Sequence, residues 1–209
     1  GGDVFRANLA TGVLELVTVS GDGLTSGSSP TRTVSDLSIS TSGGGVAFAS
    51  NHADLVSSAT GSVDDTDALA DIFFGGGGPV SLVSVNATST GSGNGISREP
   101  AVSGNGRHVA FFSFSTDLTT AIDTNLTEDL FVRDLKSGVT TLVSRSRATS
   151  GGLSSSLSTG DGSTPGSSLL DSEITAGPQM SEDGRFIVFK SSASDLLDPT
   201  LGVSDDNGV

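Results

Sequence analysis

The chain has 209 residues, with 24 acidic against 10 basic side chains and a formal net charge of −14. So negative a surface excludes the phosphate-rich partners, leaving neither nucleic acid nor an anionic lipid face as an expected ligand. Cysteine is absent, which excludes a disulfide framework and a thiolate zinc site, and no apolar run approaches the roughly 20 residues of a membrane helix, so no membrane insertion is expected.

The hydrophobic fraction is 34%, and it is clustered. Short runs of Val, Ile, Leu and Phe alternate with Gly, Ser, Thr, Asn and Asp, the pattern of many short strands with polar turns. Lysine occurs only at 136 and 190. Helix formers of the Glu and Lys kind are therefore scarce.

In chain order, Asp3-Val4-Phe5 and Leu16-Val17-Thr18 predict two strands around the turn Ala10-Thr11-Gly12. Next come a strand at Leu37–Ser40, a turn through Gly43-Gly44-Gly45, and a strand Val46-Ala47-Phe48-Ala49-Ser50. Asp71-Ile72-Phe73 and Leu82-Val83-Ser84 follow, joined by the glycine run Gly75 to Gly78. The order then repeats. Pro100–Ser103 leads through Gly106 to Val109-Ala110-Phe111, and Asp129-Leu130-Phe131 leads through Lys136-Ser137-Gly138 to Leu142-Val143-Ser144. A third copy begins at Pro178-Gln179-Met180-Ser181 and turns at Gly184 into Ile187-Val188-Phe189. Asp-Leu pairs follow the Phe-bearing strand at the same offset: Asp54-Leu55, Asp117-Leu118 and Asp195-Leu196. The longest insertion, between Arg145 and Pro178, reads as a surface excursion.

Each repeat thus supplies four strands, A to D. A precedes the glycine turn, B carries the Phe, C opens on Asp, and D carries the Leu-Val pair. The expected fold is all-β, with four-stranded antiparallel blades of the β-propeller type and three blade equivalents, including a half blade at each terminus. Residues 1–20 form a half blade (C-D), 21–87 a blade, 88–145 a second blade, and 146–209 a Ser/Gly-rich insertion followed by a half blade (A-B). The run Pro178-Gln179-Met180-Ser181-Glu182-Asp183-Gly184-Arg185-Phe186-Ile187-Val188-Phe189, together with Asp129-Leu130-Phe131-Val132-Arg133-Asp134-Leu135, resembles the TolB-type β-propeller repeat. The resemblance spans essentially the whole chain. It implies a fold and leaves the function open, because such propellers serve as scaffolds, binding modules and enzyme domains.

Strand order starts and stops in mid-blade, and three blades do not readily close around an axis. The expectation is that the incomplete ends pair with other copies of the chain, as a dimer or a filament, or that the chain is a window on a longer repeat protein.

Among candidate sites, the B–C loops carry the strongest constellation: Asp65, Asp67 and Asp71 in one repeat, and Asp123, Asn125 and Asp129 in the next. Oxygen ligands at alternating loop positions suit a hard cation, and Ca²⁺ is the expected one. The competing reading is that Asp and Asn shape the turn while the last acid opens strand C. His52 and His108 occupy different repeat phases, which argues against a joint catalytic or metal role. Arg98, Arg107, Arg133 and Arg185 are expected to pair with nearby aspartates. The functional expectation is a non-enzymatic, extracellular or cell-surface protein of structural or adhesive role. The alternative is a binding or scaffold propeller, half-ring or fragment, that recognises a peptide or glycan.

Overall fold

The computed structural model describes residues 2–21, 33–57, 63–65, 67–120, 123, 127–145, 177–191, 193, 196–197 and 202. Within these the protein is all-β, and no helix is long and apolar enough to cross a membrane. The twelve strands are β1 (Phe5–Ala7), β2 (Leu14–Leu16), β3 (Val34–Ile39), β4 (Val46–Ser50), β5 (Asp71–Gly75), β6 (Ser81–Leu82), β7 (Ser97–Val102), β8 (His108–Ser113), β9 (Asp129–Asp134), β10 (Val139–Leu142), β11 (Gln179–Met180) and β12 (Ile187–Val188). They form two four-stranded antiparallel meanders, β3-β4-β5-β6 and β7-β8-β9-β10, and two hairpins, β1-β2 and β11-β12. The expected order of half blade, blade, blade, half blade is the observed one. The excursion expected between Arg145 and Pro178 lies outside the described residues from 146 to 176.

The sheets stack face to face through three separate cores. Val4 and Val17 of the first hairpin meet Phe48, Phe73 and Leu82 of the first blade. The other face of that blade, with Ala47, Ala49, Ile72 and Val83, packs on Val109, Phe111 and Phe131 of the second blade. Ala110, Phe112 and Leu130 then face Met180, Ile187 and Phe189 of the last hairpin. Alternation along strand B produces this arrangement: one residue points to the preceding sheet and the next to the following one. Both faces are covered, so β4 is buried along its whole length and β8 at every position after His108. Cross-strand Phe pairs anchor the two blades. Phe48 stacks on Phe73 with ring centroids 5.8 Å apart, and Phe111 on Phe131 at 6.0 Å. Burying each ring contributes about 2–3 kcal/mol.

Three small devices recur in each repeat. In the A–B turn the hydroxyl of Ser40, Ser103 or Ser181 accepts the amide N–H at the start of strand B: Gly45 at 3.1 Å, His108 at 2.9 Å and Phe186 at 3.0 Å. Gly43, Gly106 and Gly184 hold φ of 69°, 71° and 72° there, the left-handed region that only glycine enters without strain. Successive A–B turns also touch one another. The Ser42 N–H donates to the Gly104 carbonyl at 3.2 Å, and the Asn105 N–H to the Glu182 carbonyl at 3.0 Å. A Cβ on Gly104 would lie 2.4 Å from Thr41 Oγ1, so the approach of neighbouring turns requires glycine at that point.

Strand A is irregular at one repeated position. Register breaks between Ser35 and Ser38 in β3 and between Arg98 and Ala101 in β7. Asp36 and Glu99 sit in these bulges with φ of 53° and 52°. Each costs about 1–2 kcal/mol relative to a relaxed backbone. Burial also pushes the Glu99 carboxyl up, and Glu128 and Asp36 add to that push against the opposing pull of Arg98. Glu99→Gly should therefore raise stability by about 1 kcal/mol, seen as a higher urea midpoint at unchanged slope. A lower midpoint would show that the Glu99 side chain stabilises the bulge.

Candidate metal centre

The loop before β5 and the first residue of that strand bring three acids together. Asp65 and Asp71 are buried and Asp67 is half-buried. Each presents one carboxylate oxygen, and the three oxygens lie within 4.8 Å of one another. Local turn chemistry explains much of the loop's shape. The Asp67 N–H donates to Asp65 Oδ1 at 3.1 Å, and the Leu69 N–H to Asp67 Oδ1 at 2.7 Å, two successive side-chain-closed turns. Ser92 Oγ, beyond β6, reaches Asp67 Oδ2 at 3.4 Å, and the Ser97 N–H at the head of β7 donates to the Ala70 carbonyl at 2.7 Å. The cluster therefore lies where the first blade hands over to the second.

Asp71 has a fixed role in the sheet as well. Ser84 Oγ donates to its Oδ1 at 2.5 Å and accepts the Ile72 N–H at 3.0 Å. The same link occurs three times. Thr18 joins Asp3 Oδ1, at 3.0 Å, to the Val4 N–H, at 3.2 Å. Ser144 joins Asp129 Oδ1, at 2.6 Å, to the Leu130 N–H, at 2.9 Å. Each ties the opening acid of strand C to a hydroxyl after strand D. In the sequence these hydroxyls carry one mark: Thr18, Ser84 and Ser144 close the recurrent Leu-Val-Thr/Ser triplets.

Burial dominates the electrostatics of Asp71. It pushes the carboxyl up to about 8; the Ser84 hydrogen bond opposes this, and the charges of Asp65, Asp67 and Asp117 add to it. Asp117 caps a neighbouring turn, its Oδ1 accepting the Asn94 N–H at 3.0 Å.

Of the second expected set, Asp129 is buried and Asp123 half-buried, while Asn125 lies outside the described residues. The histidines stay apart from the acidic cluster. His52 Nδ1 lies 3.8 Å from Asp54 Oδ1, and His108 Nε2 4.0 Å from Asp134 Oδ2. The arginines divide. Arg107 pairs with Asp134 through two hydrogen bonds of 3.0 and 2.6 Å, and Arg185 lies 4.0 Å from Asp183. Arg98 departs from the expected aspartate and clasps Glu128, the residue just ahead of β9, because Arg98 is in register with Phe112 of β8 and Phe112 with Leu130 of β9. Arg133 donates to Thr140 Oγ1 at 2.9 Å. No protein-family model matches the chain, and no curated protein matches it.

Proposed function

We propose that the protein is a structural β-propeller-type repeat module that self-associates by completing blades, the C-D hairpin of one copy joining the A-B hairpin of another. An extracellular or cell-surface setting suits its cysteine-free, Ser/Thr-rich composition. One contrast carries the reading. Positions that are sealed in the two blades stand open in the two hairpins. Phe5 is 57% exposed, while its repeat equivalents Phe73 and Phe131 are 0% and 3% exposed. Val188 is 72% exposed, while its equivalents Ala47 and Ala110 are both at 0%.

The two hairpins are complementary in kind. Phe189 is the repeat equivalent of Phe48 and Phe111, and Phe5 that of Phe73 and Phe131. Pairing β12 of one copy with β1 of another would set Phe189 against Phe5, as Phe48 is set against Phe73. It would also cover two strand edges that are unpaired among the described residues. Two copies joined at both ends make a six-bladed ring, and copies whose rotation does not close make a filament.

The expected result is a sedimentation profile that moves from monomer to larger species as protein concentration rises, with rings or filaments in negative stain. Phe5→Asp and Val188→Asp should each abolish the shift and leave the far-ultraviolet circular dichroism unchanged. A wild-type chain that stays monomeric at high concentration and physiological salt overturns the reading. The net charge of −14 makes salt part of the test, since screening should favour association of like-charged copies.

A further inference from the structure

We infer that Asp65, Asp67 and Asp71 form the carboxylate wall of a calcium site at the junction of the two complete blades. This does not depend on self-association, because all three residues belong to one chain and one loop-strand unit.

The clustering alone would fit a solvated acidic loop. The Asp71 carboxylate argues for a ligand. Its residue is wholly buried, its Oδ1 is held by the Ser84 hydroxyl, and its Oδ2 is closed to solvent with no hydrogen-bond donor. Buried carboxylate oxygens are ordinarily satisfied, and leaving one without a donor is costly. Among the described residues, the charges acting on Asp71 are those of Asp65, Asp67 and Asp117, all of the same sign. The Ser84 hydroxyl holds one oxygen of the carboxylate, and an oxygen of Asp71 lies within 4.8 Å of one from each of Asp65 and Asp67. A bound cation answers both the orphaned oxygen and the like-charge crowding.

The spacing suits calcium. Calcium bonds oxygen at about 2.3–2.6 Å, so its shell spans roughly 4.6–5.2 Å from one ligand to the opposite one. Three oxygens within 4.8 Å of one another fit inside one such shell. Magnesium, at about 2.0–2.1 Å, demands a tighter and near-octahedral set and sheds its waters reluctantly. Carboxylates fixed at unequal depths by a strand start and two loop turns suit the less demanding ion. Calcium takes about six to eight oxygens, so water and main-chain carbonyls would complete the shell.

Calorimetric titration of the whole EDTA-stripped chain with CaCl₂ tests the proposal, paired with thermal unfolding in EDTA and in CaCl₂. One ion should bind with a dissociation constant of about 10⁻⁵–10⁻³ M and raise the melting temperature. Asp67→Asn keeps the turn-closing oxygen but removes a charge, and should weaken binding at least tenfold. Asp71→Asn should do the same, and circular dichroism establishes that each variant is folded. Asp183→Asn, in an exposed A–B turn, should leave the affinity unchanged. Absence of heat and of a melting shift in the wild type overturns the site, as does undiminished binding in a folded Asp67→Asn protein. An equal response to MgCl₂ overturns the assignment to calcium.

Discussion

Replacing Arg98 with methionine is expected to lower the unfolding free energy by about 2–3 kcal/mol, less than the cost of breaking a wholly buried ion pair, because the Arg98 side chain is 26% exposed. Glu128 is fully buried, and Arg98 meets it with two parallel hydrogen bonds, Nε to Oε1 at 2.6 Å and Nη2 to Oε2 at 2.8 Å. Such fork-to-fork contacts are both strong and directional. The carboxylate holds the guanidinium proton firmly, which pushes the Arg98 pKa up. The pair joins the first strand of the second blade to the residue before its third strand, so it braces the sheet across the intervening β8. Arg98→Met leaves the Glu128 charge buried without its guanidinium. Removing both charges, as Arg98→Met with Glu128→Leu, should recover most of the loss, because the desolvation cost disappears with them. Urea midpoints at constant slope give both values. A single-variant loss below about 1 kcal/mol would mean that water compensates Glu128.

A second large effect belongs to Asp71. In EDTA, unfolding free energy should fall as pH rises from about 4 to 8, with a slope approaching 1.4 kcal/mol per pH unit from this residue alone. The folded-state pKa is raised from 3.8 to about 8. Across that window the folded chain retains a proton that the unfolded chain has released, so raising the pH favours unfolding. Asp71→Asn should remove most of the slope and be more stable than the wild type at pH 8 in EDTA. Saturating calcium should flatten the wild-type curve from the other side, by stabilising the ionised carboxylate. Asp134 acts with opposite sign: Arg107 holds its carboxyl below the usual range, so its contribution is present above pH 4 and lost in more acidic solution. Measurements above pH 5 therefore separate the two groups. Equal slopes for wild type and Asp71→Asn would mean that Asp71 is ionised in the folded apo protein.

Some of this was legible from residues alone. The strands carrying Phe48 and Phe111 announced themselves because burial on both faces demands a continuous apolar run. The A–B turns did so because a left-handed backbone needs Gly43, Gly106 and Gly184. Alternating acids at 65, 67 and 71 likewise marked the loop that the fold draws together. Other features depend on distance in space. Nothing local to Glu99 signals a left-handed bulge, because glutamate in a strand carries no such preference; Asp36 is of a type that tolerates positive φ, but its strand context hides the bulge. Arg98 was flanked by candidate acids, and only the pairing of β7 with β8 and β8 with β9 brings it to Glu128, thirty positions away. Thr18, Ser84 and Ser144 were hidden among many hydroxyl residues, and only comparison at equal repeat phase distinguishes them.

The three separate cores have a further consequence. Among the described residues each sheet packs on its immediate neighbours alone, so stability is distributed like coupling along a row of dominoes. The two inner sheets are clamped from both sides and each outer hairpin from one. Damage to a hairpin shortens the cooperative unit by one member, whereas damage to the core holding Ile72, Val109 and Phe111 divides it into two fragments, each with only one intact interface. The weakest place for a lesion is thus the middle of the row, farthest from the edges offered to a partner.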